Sequence, residues 1–135
     1  MTVPTVLFLC IHNAGRSQMA LAWFEHLAEG RAVAFSGGSE PAAAVNPAAI
    51  EVMAEVGIDI AGRTPRRWSE SDFETADVIV TMGCGDSCPY VPGKHYEDWK
   101  LDDPAGQGVE AVRPIREEIE ARVRYLLATL VGPTD

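Results

Sequence analysis

Residues 5–30, TVLFLCIHNAGRSQMALAWFEHLAEG, join two hydrophobic patterns of different period through one short turn. Thr5 to Cys10 form a continuous apolar, β-branched run of strand length, the pattern of a strand buried on both faces of a parallel sheet. Beyond the turn, Met19, Ala20, Trp23, Phe24 and Leu27 recur at helical spacing, and Gly30 offers a left-handed stop. The reading is strand, tight turn, helix, with Cys10 closing the strand and Arg16 six positions later.

The pattern then repeats. RAVAFSGG, residues 31–38, reads as a second strand ending in glycines, and NPAAIEVMAEVG, residues 46–57, as a helix with Asn46 as cap, Pro47 at its first position and Gly57 at its end. A short helix capped by Ser69 or Ser71 precedes an apolar strand, Val78 to Met82, and the turn-rich GCGDSCPYVPG. KHYEDW reads as a last strand and DDPAGQG as a loop. Val112, Ile115, Ile119, Val123, Leu126, Leu127 and Leu130 share one face of a closing helix, in which Pro114 fits either the first turn or a kink. Alternating strands and helices predict βαβ units, a parallel sheet and right-handed crossovers. In such sheets ligands bind beyond the carboxyl ends of the strands. The loops carrying Cys10 and the Cys84/Cys88 pair are therefore expected on one edge.

A chain of 135 residues is near the commonest size of one domain, and its 47% hydrophobic composition is that of a globular protein. A net charge of −9 argues against nucleic acid or an anionic membrane as partner, since either needs a basic surface. The beginning of the chain shows no basic leader, and Val6 to Cys10 is far shorter than the roughly 20 residues that span a bilayer, which predicts a cytoplasmic protein. Three cysteines in a reducing compartment point to catalysis, redox cycling or metal binding rather than a static disulfide scaffold.

A loop from strand end to helix start can turn its amides inward and make a concave anion site, reinforced by the helix amino terminus. Residues Cys10, Ile11, His12, Asn13, Ala14, Gly15, Arg16 and Ser17 are the candidate oxyanion cradle, with the Arg16 guanidinium as a two-pronged clamp. A thiol at a helix amino terminus beside a cation ionises readily, so nucleophile and cradle would be one structure. Ser17 is placed to donate to the Cys10 sulfur, Asn13 to hold the loop, and His12 to face solvent or brace it.

Cys-x5-Arg-Ser directly after a first strand resembles the low-molecular-weight protein tyrosine phosphatase superfamily, whose second signature, an Asp-Pro loop carrying the general acid, is matched by Asp103-Pro104. The segments CIHNAGRSQMA, NPAAIEVMAEVGIDI, VTMGCGDSCP, YEDWKLDDPAGQG and RPIREEIEARV together resemble the thioredoxin-coupled arsenate reductases built on that fold. The resemblance implies one domain over residues 1–135: a small doubly wound α/β three-layer sandwich, its four-stranded parallel sheet in the order 2-1-3-4 with helices on both faces. It implies arsenate as substrate with phosphate or sulfate as analogues, thioredoxin as partner, no cofactor, and a monomer. It also implies a relay: Cys10 attacks arsenate, Asp103 protonates the departing hydroxyl, Cys84 attacks the Cys10 sulfur, and Cys88 then takes over Cys84 for thioredoxin. A small thiol such as mycothiol or glutathione with a glutaredoxin, or plain phosphatase chemistry, is the alternative.

The chain departs from that pattern at three positions: Gly15 stands where some members carry a further cysteine, His12 where many carry glycine, and Leu21 where some place a glutamate that helps hold potassium, although Asn13 and Ser36 match that ion site. For zinc, Cys84, Cys88 and His95 supply three ligands where a closed structural site needs four, so no metal is expected.

Overall fold

The computed structural model describes residues 3–83 and 90–132. Its elements run β1 (Thr5–Cys10), α1 (Arg16–Ala28), β2 (Val33–Gly38), α2 (Pro47–Glu55), α3 (Glu70–Thr75), β3 (Val78–Thr81), β4 (His95–Asp98) and α4 (Val109–Val131). The four strands form one sheet in the order β2-β1-β3-β4, with every neighbouring pair parallel. No helix among the described residues is long and apolar enough to cross a membrane.

β1 is central because both its faces are apolar. Val6, Phe8 and Cys10 point into a core shared with α1, α2 and α4, whereas Leu7 and Leu9 point the other way, toward Phe73 of α3, Ala76 and Ile79. Phe8 sets its ring against Phe24 and Trp99 at centroid distances of 5.6 and 5.7 Å, edge-on and tilted respectively. Such contacts add about 0.5–1.5 kcal/mol each beyond the buried area. Helices therefore cover both faces, unequally: three on one side, and the short α3 with Trp68, Val91 and Tyr96 on the other.

The local signals resolve as follows. Asn46 caps α2 by accepting from the Ala48 amide, with Pro47 in the first turn. Ser69, not Ser71, caps α3, in a capping box with Asp72. The stop of α1 begins one residue before Gly30, since Glu29 already adopts the left-handed conformation with φ 51°. Pro114 is the sixth residue of α4, beyond the first turn; it withholds the amide hydrogen that would meet the Glu110 carbonyl.

From β1 the chain passes outward to β2 and later returns to the opposite side with β3, so strand order reverses between β1 and β3. The loop after Cys10 and the segment after Thr81 leave the sheet at that crevice, where α/β sheets place their ligands. Met82 extends the pairing by donating its amide to the Leu9 carbonyl at 2.7 Å.

α2 is locked to α4 by one carboxylate. Glu55 receives Arg113 through both nitrogens of its fork, at 2.6–3.1 Å, and Arg116 at 2.8 Å; the buried Arg116 also donates to the Val52 carbonyl at 2.8 Å. The Arg113 hydrogen bonds first, and those of Arg116 next, lower the Glu55 carboxyl from 4.5 to about 2. A carboxylate held down in the folded state contributes stability above its unfolded pKa and loses it as the pH falls through the folded value. Glu55→Gln should therefore lower the melting temperature at neutral pH, and the gap to the wild type should close between pH 4.5 and about 2 in a thermal-melt series. A gap that stays constant across that range would contradict the assignment.

Candidate active site

In the turn between β1 and α1, the backbone carbonyls of residues 11–15 all find hydrogen-bond partners. The Ile11 carbonyl accepts from the Glu40 amide (2.8 Å), His12 from Ala42 (3.0 Å), Ala14 from Asn46 (2.8 Å) and Gly15 from Met19 (2.9 Å), while the Asn13 carbonyl takes the Gln18 side chain (3.1 Å). Among the described residues, by contrast, no carbonyl or side chain accepts the amide hydrogens of residues 12–16. α1 begins at Arg16 with Gly15 as its N-cap and no side-chain cap, although Arg16, Ser17 and Gln18 are all buried. A buried helix start with unmatched donors is a site for an anion, which the helix dipole also favours.

Cys10 is 2% exposed, and its sulfur lies 2.8 Å from the Ser17 hydroxyl. Asn13, fully buried at φ 49°, organises the loop interior: its Nδ2 donates to Ser17 Oγ (2.7 Å) and Ser36 Oγ (3.0 Å), and its Oδ1 accepts from Gln18 Nε2 (3.1 Å) and the Arg66 amide (2.9 Å). These bonds consume the donors and acceptors of Asn13. The potassium ion suggested by Asn13 and Ser36 does not fit this set: Leu21 is apolar, and the cationic Arg66 already donates to the Ser36 carbonyl at 2.6 Å.

Arg16 is buried at the pocket wall, and its Nη2 lies 3.7 Å from Asp103 Oδ2. Asp103 is half-exposed and is oriented by the Ala105 amide, which donates to its Oδ1 at 2.9 Å. Asn46 ties this second loop to the first, giving its amide to Ala14 and its Nδ2 to the Pro104 carbonyl (3.1 Å). Pro104 closes against Gly15 so tightly that a Cβ there would lie 2.6 Å from its Cγ, so the position matched by cysteine in other members has no room for one here. His12 braces the loop and also reaches the surface: its Nδ1 is 3.0 Å from the Glu40 carbonyl, which can only accept, so the proton sits on Nδ1.

The structure thus brings Cys10, His12, Ala14, Gly15, Arg16 and Asp103 to one pocket of about 30 Å³. Cys84 and Cys88 lie outside the described residues, but Gly83, which precedes them, is in contact with the pocket wall. Gly83 has φ +94°, and a Cβ on it would meet Arg16 Nη1 at 2.5 Å. Among the described residues, none of the His, Cys, Asp and Glu side chains gather in threes that could hold a metal ion. Sequence reading missed Gln18 and Arg66 as loop supports and the second role of Asn46, whose capping signal alone was legible.

The model of the family described as "Low molecular weight phosphotyrosine protein phosphatase" matches residues 5–87. The chain is similar to a Synechocystis protein named "Glutaredoxin arsenate reductase", with 38% identity over 128 residues covering 93% of this chain and 97% of that one. The fold superposes on a Corynebacterium glutamicum thioredoxin-dependent arsenate reductase with a TM-score of 0.81 and 40% identity, covering 96% of this chain but only 62% of the larger one. A second solved structure, described as an arsenate reductase in the phosphate binding state, gives a TM-score of 0.84 at 36% identity and covers 95% of this chain and 99% of its own.

Gly83→Ala would combine left-handed backbone strain, which costs about 1–2 kcal/mol, with displacement of Arg16. Phosphate affinity measured by calorimetry should fall about tenfold, the loss of one charge-assisted hydrogen bond. Wild-type affinity in that variant would show that Gly83 does not bear on the clamp.

Proposed function

Because the chain belongs to the low molecular weight phosphotyrosine protein phosphatase family, we propose that it is an arsenate reductase acting in the cytoplasm, with Cys10 as nucleophile. The observation that carries this reading is the set of amides of residues 12–16 that find no acceptor among the described residues, beside Cys10 and with Arg16 and Asp103 in the same small pocket. Such a cradle suits a tetrahedral oxyanion, arsenate in this reading. The names of the similar proteins support the same choice.

In the proposed reaction the Cys10 thiolate attacks arsenic, an S–As bond forms, and an As–O bond breaks as Asp103 supplies the proton to the departing hydroxyl. Arg16 and the loop amides hold the remaining oxygens as charge develops on them. Asp103 suits that task because its Oδ1 is fixed by the Ala105 amide while Oδ2 stays beside Arg16 at the pocket. The Ser17 hydroxyl lies 2.8 Å from the Cys10 sulfur, where donation of its proton would support the sulfur both as attacker and as leaving group.

Cys84 then attacks the Cys10 sulfur. The S–As bond breaks with its electron pair going to arsenic, which leaves as arsenite, and Cys10–Cys84 becomes a disulfide. Cys88 attacks Cys84, frees Cys10, and hands a Cys84–Cys88 disulfide to an external dithiol. Two thiols lose two electrons and arsenic(V) gains them. The external dithiol is proposed to be thioredoxin, as in the name of the Corynebacterium relative; the glutaredoxin-named Synechocystis relative makes a glutathione-linked reductant the competing reading.

With arsenate, thioredoxin, thioredoxin reductase and NADPH, the wild type should oxidise NADPH continuously, and Cys10→Ser should abolish the signal. Cys88→Ser should stop after about one turnover per molecule. Sustained turnover by that variant with thioredoxin, or by the wild type only with glutathione and glutaredoxin, would overturn the relay. Asp103→Asn should slow the first, arsenate-dependent step about a hundredfold, read in single-turnover quench experiments.

A further inference from the structure

Asn13 holds Ser17, but its carboxamide would do so equally in two orientations unless something fixes which end carries the oxygen. The oxygen is fixed from one side by two donors, Gln18 Nε2 at 3.1 Å and the Arg66 amide at 2.9 Å. Both are N–H groups that cannot accept, so the NH2 end must face Ser17 and Ser36. Ser17 Oγ then receives a hydrogen from Asn13, and its single proton remains available to the Cys10 sulfur 2.8 Å away. Reversing the carboxamide would bring its oxygen to Ser17 and draw that proton off the sulfur.

Arg66 stands at the outer end of this chain and is itself held at three points. Its Nη1 donates to the Ser36 carbonyl at 2.6 Å, its Nη2 meets Asp72 Oδ2 at 2.8 Å, and its own carbonyl accepts the Gly38 amide at 2.9 Å. Asp72 is the capping-box residue of α3, and the same Oδ2 takes the Ser69 amide at 2.8 Å. The guanidinium thereby fastens the 66–68 segment and the start of α3 to the end of β2, and so sets where the Arg66 amide meets Asn13.

We propose that Arg66 is a positioning residue for Cys10: pinned by Ser36 and Asp72, it fixes the Asn13 carboxamide so that Ser17 donates its proton to the nucleophilic sulfur. The inference rests on Cys10 being the nucleophile, and it does not depend on arsenate being the substrate. Arg66 touches neither oxyanion nor sulfur, so its loss should act on thiol reactivity and spare anion binding, which belongs to Arg16 and the loop amides.

The test reads those two properties separately. Purified full-length protein is treated with iodoacetamide at mildly acidic pH, where the thiolate fraction limits the rate, and alkylation of the Cys10 peptide is followed by mass spectrometry. Inorganic phosphate affinity is measured in parallel by calorimetry. Arg66→Ala should slow Cys10 alkylation about three- to tenfold, the span one hydrogen bond controls. Its phosphate dissociation constant should stay within about twofold of wild type. Arg66→Lys, which keeps a donor for Ser36 and Asp72, should recover most of the lost rate. If Arg66→Ala does not fold, Arg66→Gln is measured the same way. Unchanged alkylation, or equal losses of alkylation and phosphate affinity, would overturn the proposal. A protein that passes this test and reduces no arsenate would refute the proposed substrate alone.

Discussion

Five consecutive backbone carbonyls, Ile11 to Gly15, take hydrogen bonds beside Cys10, and much of the surrounding structure supplies the donors. A turn this tight has too few internal partners for its own polar groups, and leaving them buried and unmatched costs about 1–3 kcal/mol each. The partners come from the 40–46 segment, from α1 and from the Gln18 side chain. The amides are left over because the carbonyls are satisfied elsewhere, which is what makes the loop a receptor.

That arrangement depends on β1 lying still. Its buried apolar residues face two separate cores, and the uneven helix layers place α1 directly behind the loop. Cys10 belongs to the larger core, so its thiol sits on a packed strand end with Arg16 opening the helix that follows it. The Asp103-Pro104 loop has no such frame of its own; it is positioned by Asn46 and by contact with Gly15. Asp103 and Cys10 are thus held by different elements, joined through Asn46.

Much of this was legible in the order of residues. The change from a continuous apolar run to helical spacing between Cys10 and Met19 identified strand, loop and helix, because each period follows from backbone geometry alone. Capping residues such as Asn46 and Ser69 act within a few positions of themselves, so their roles could be read locally. The resemblance of the Cys10 to Ser17 and Asp103-Pro104 segments to known motifs added the sheet order and the chemistry. Where a signal was shared by neighbours, as between Ser69 and Ser71 or between the two readings of Pro114, spacing alone left the choice open.

Sequence by itself thus determined the elements, and it singled out Cys10, Arg16 and Asp103 as the candidate site residues, since those readings depend on residue type and short-range pattern. Tertiary structure alone decided how they are supported: Arg66 closing Asn13 across 53 positions, Asn46 bridging to Pro104 across 58, and Gly83 lying against Arg16. It also bears on the potassium question that the sequence left open, because Asn13 and Ser36 bond to one another and Arg66 brings a cation of its own. The reason is physical: a hydrogen bond between distant segments leaves no periodicity in the chain, and its partners become neighbours only after the sheet has brought its strand ends to one edge.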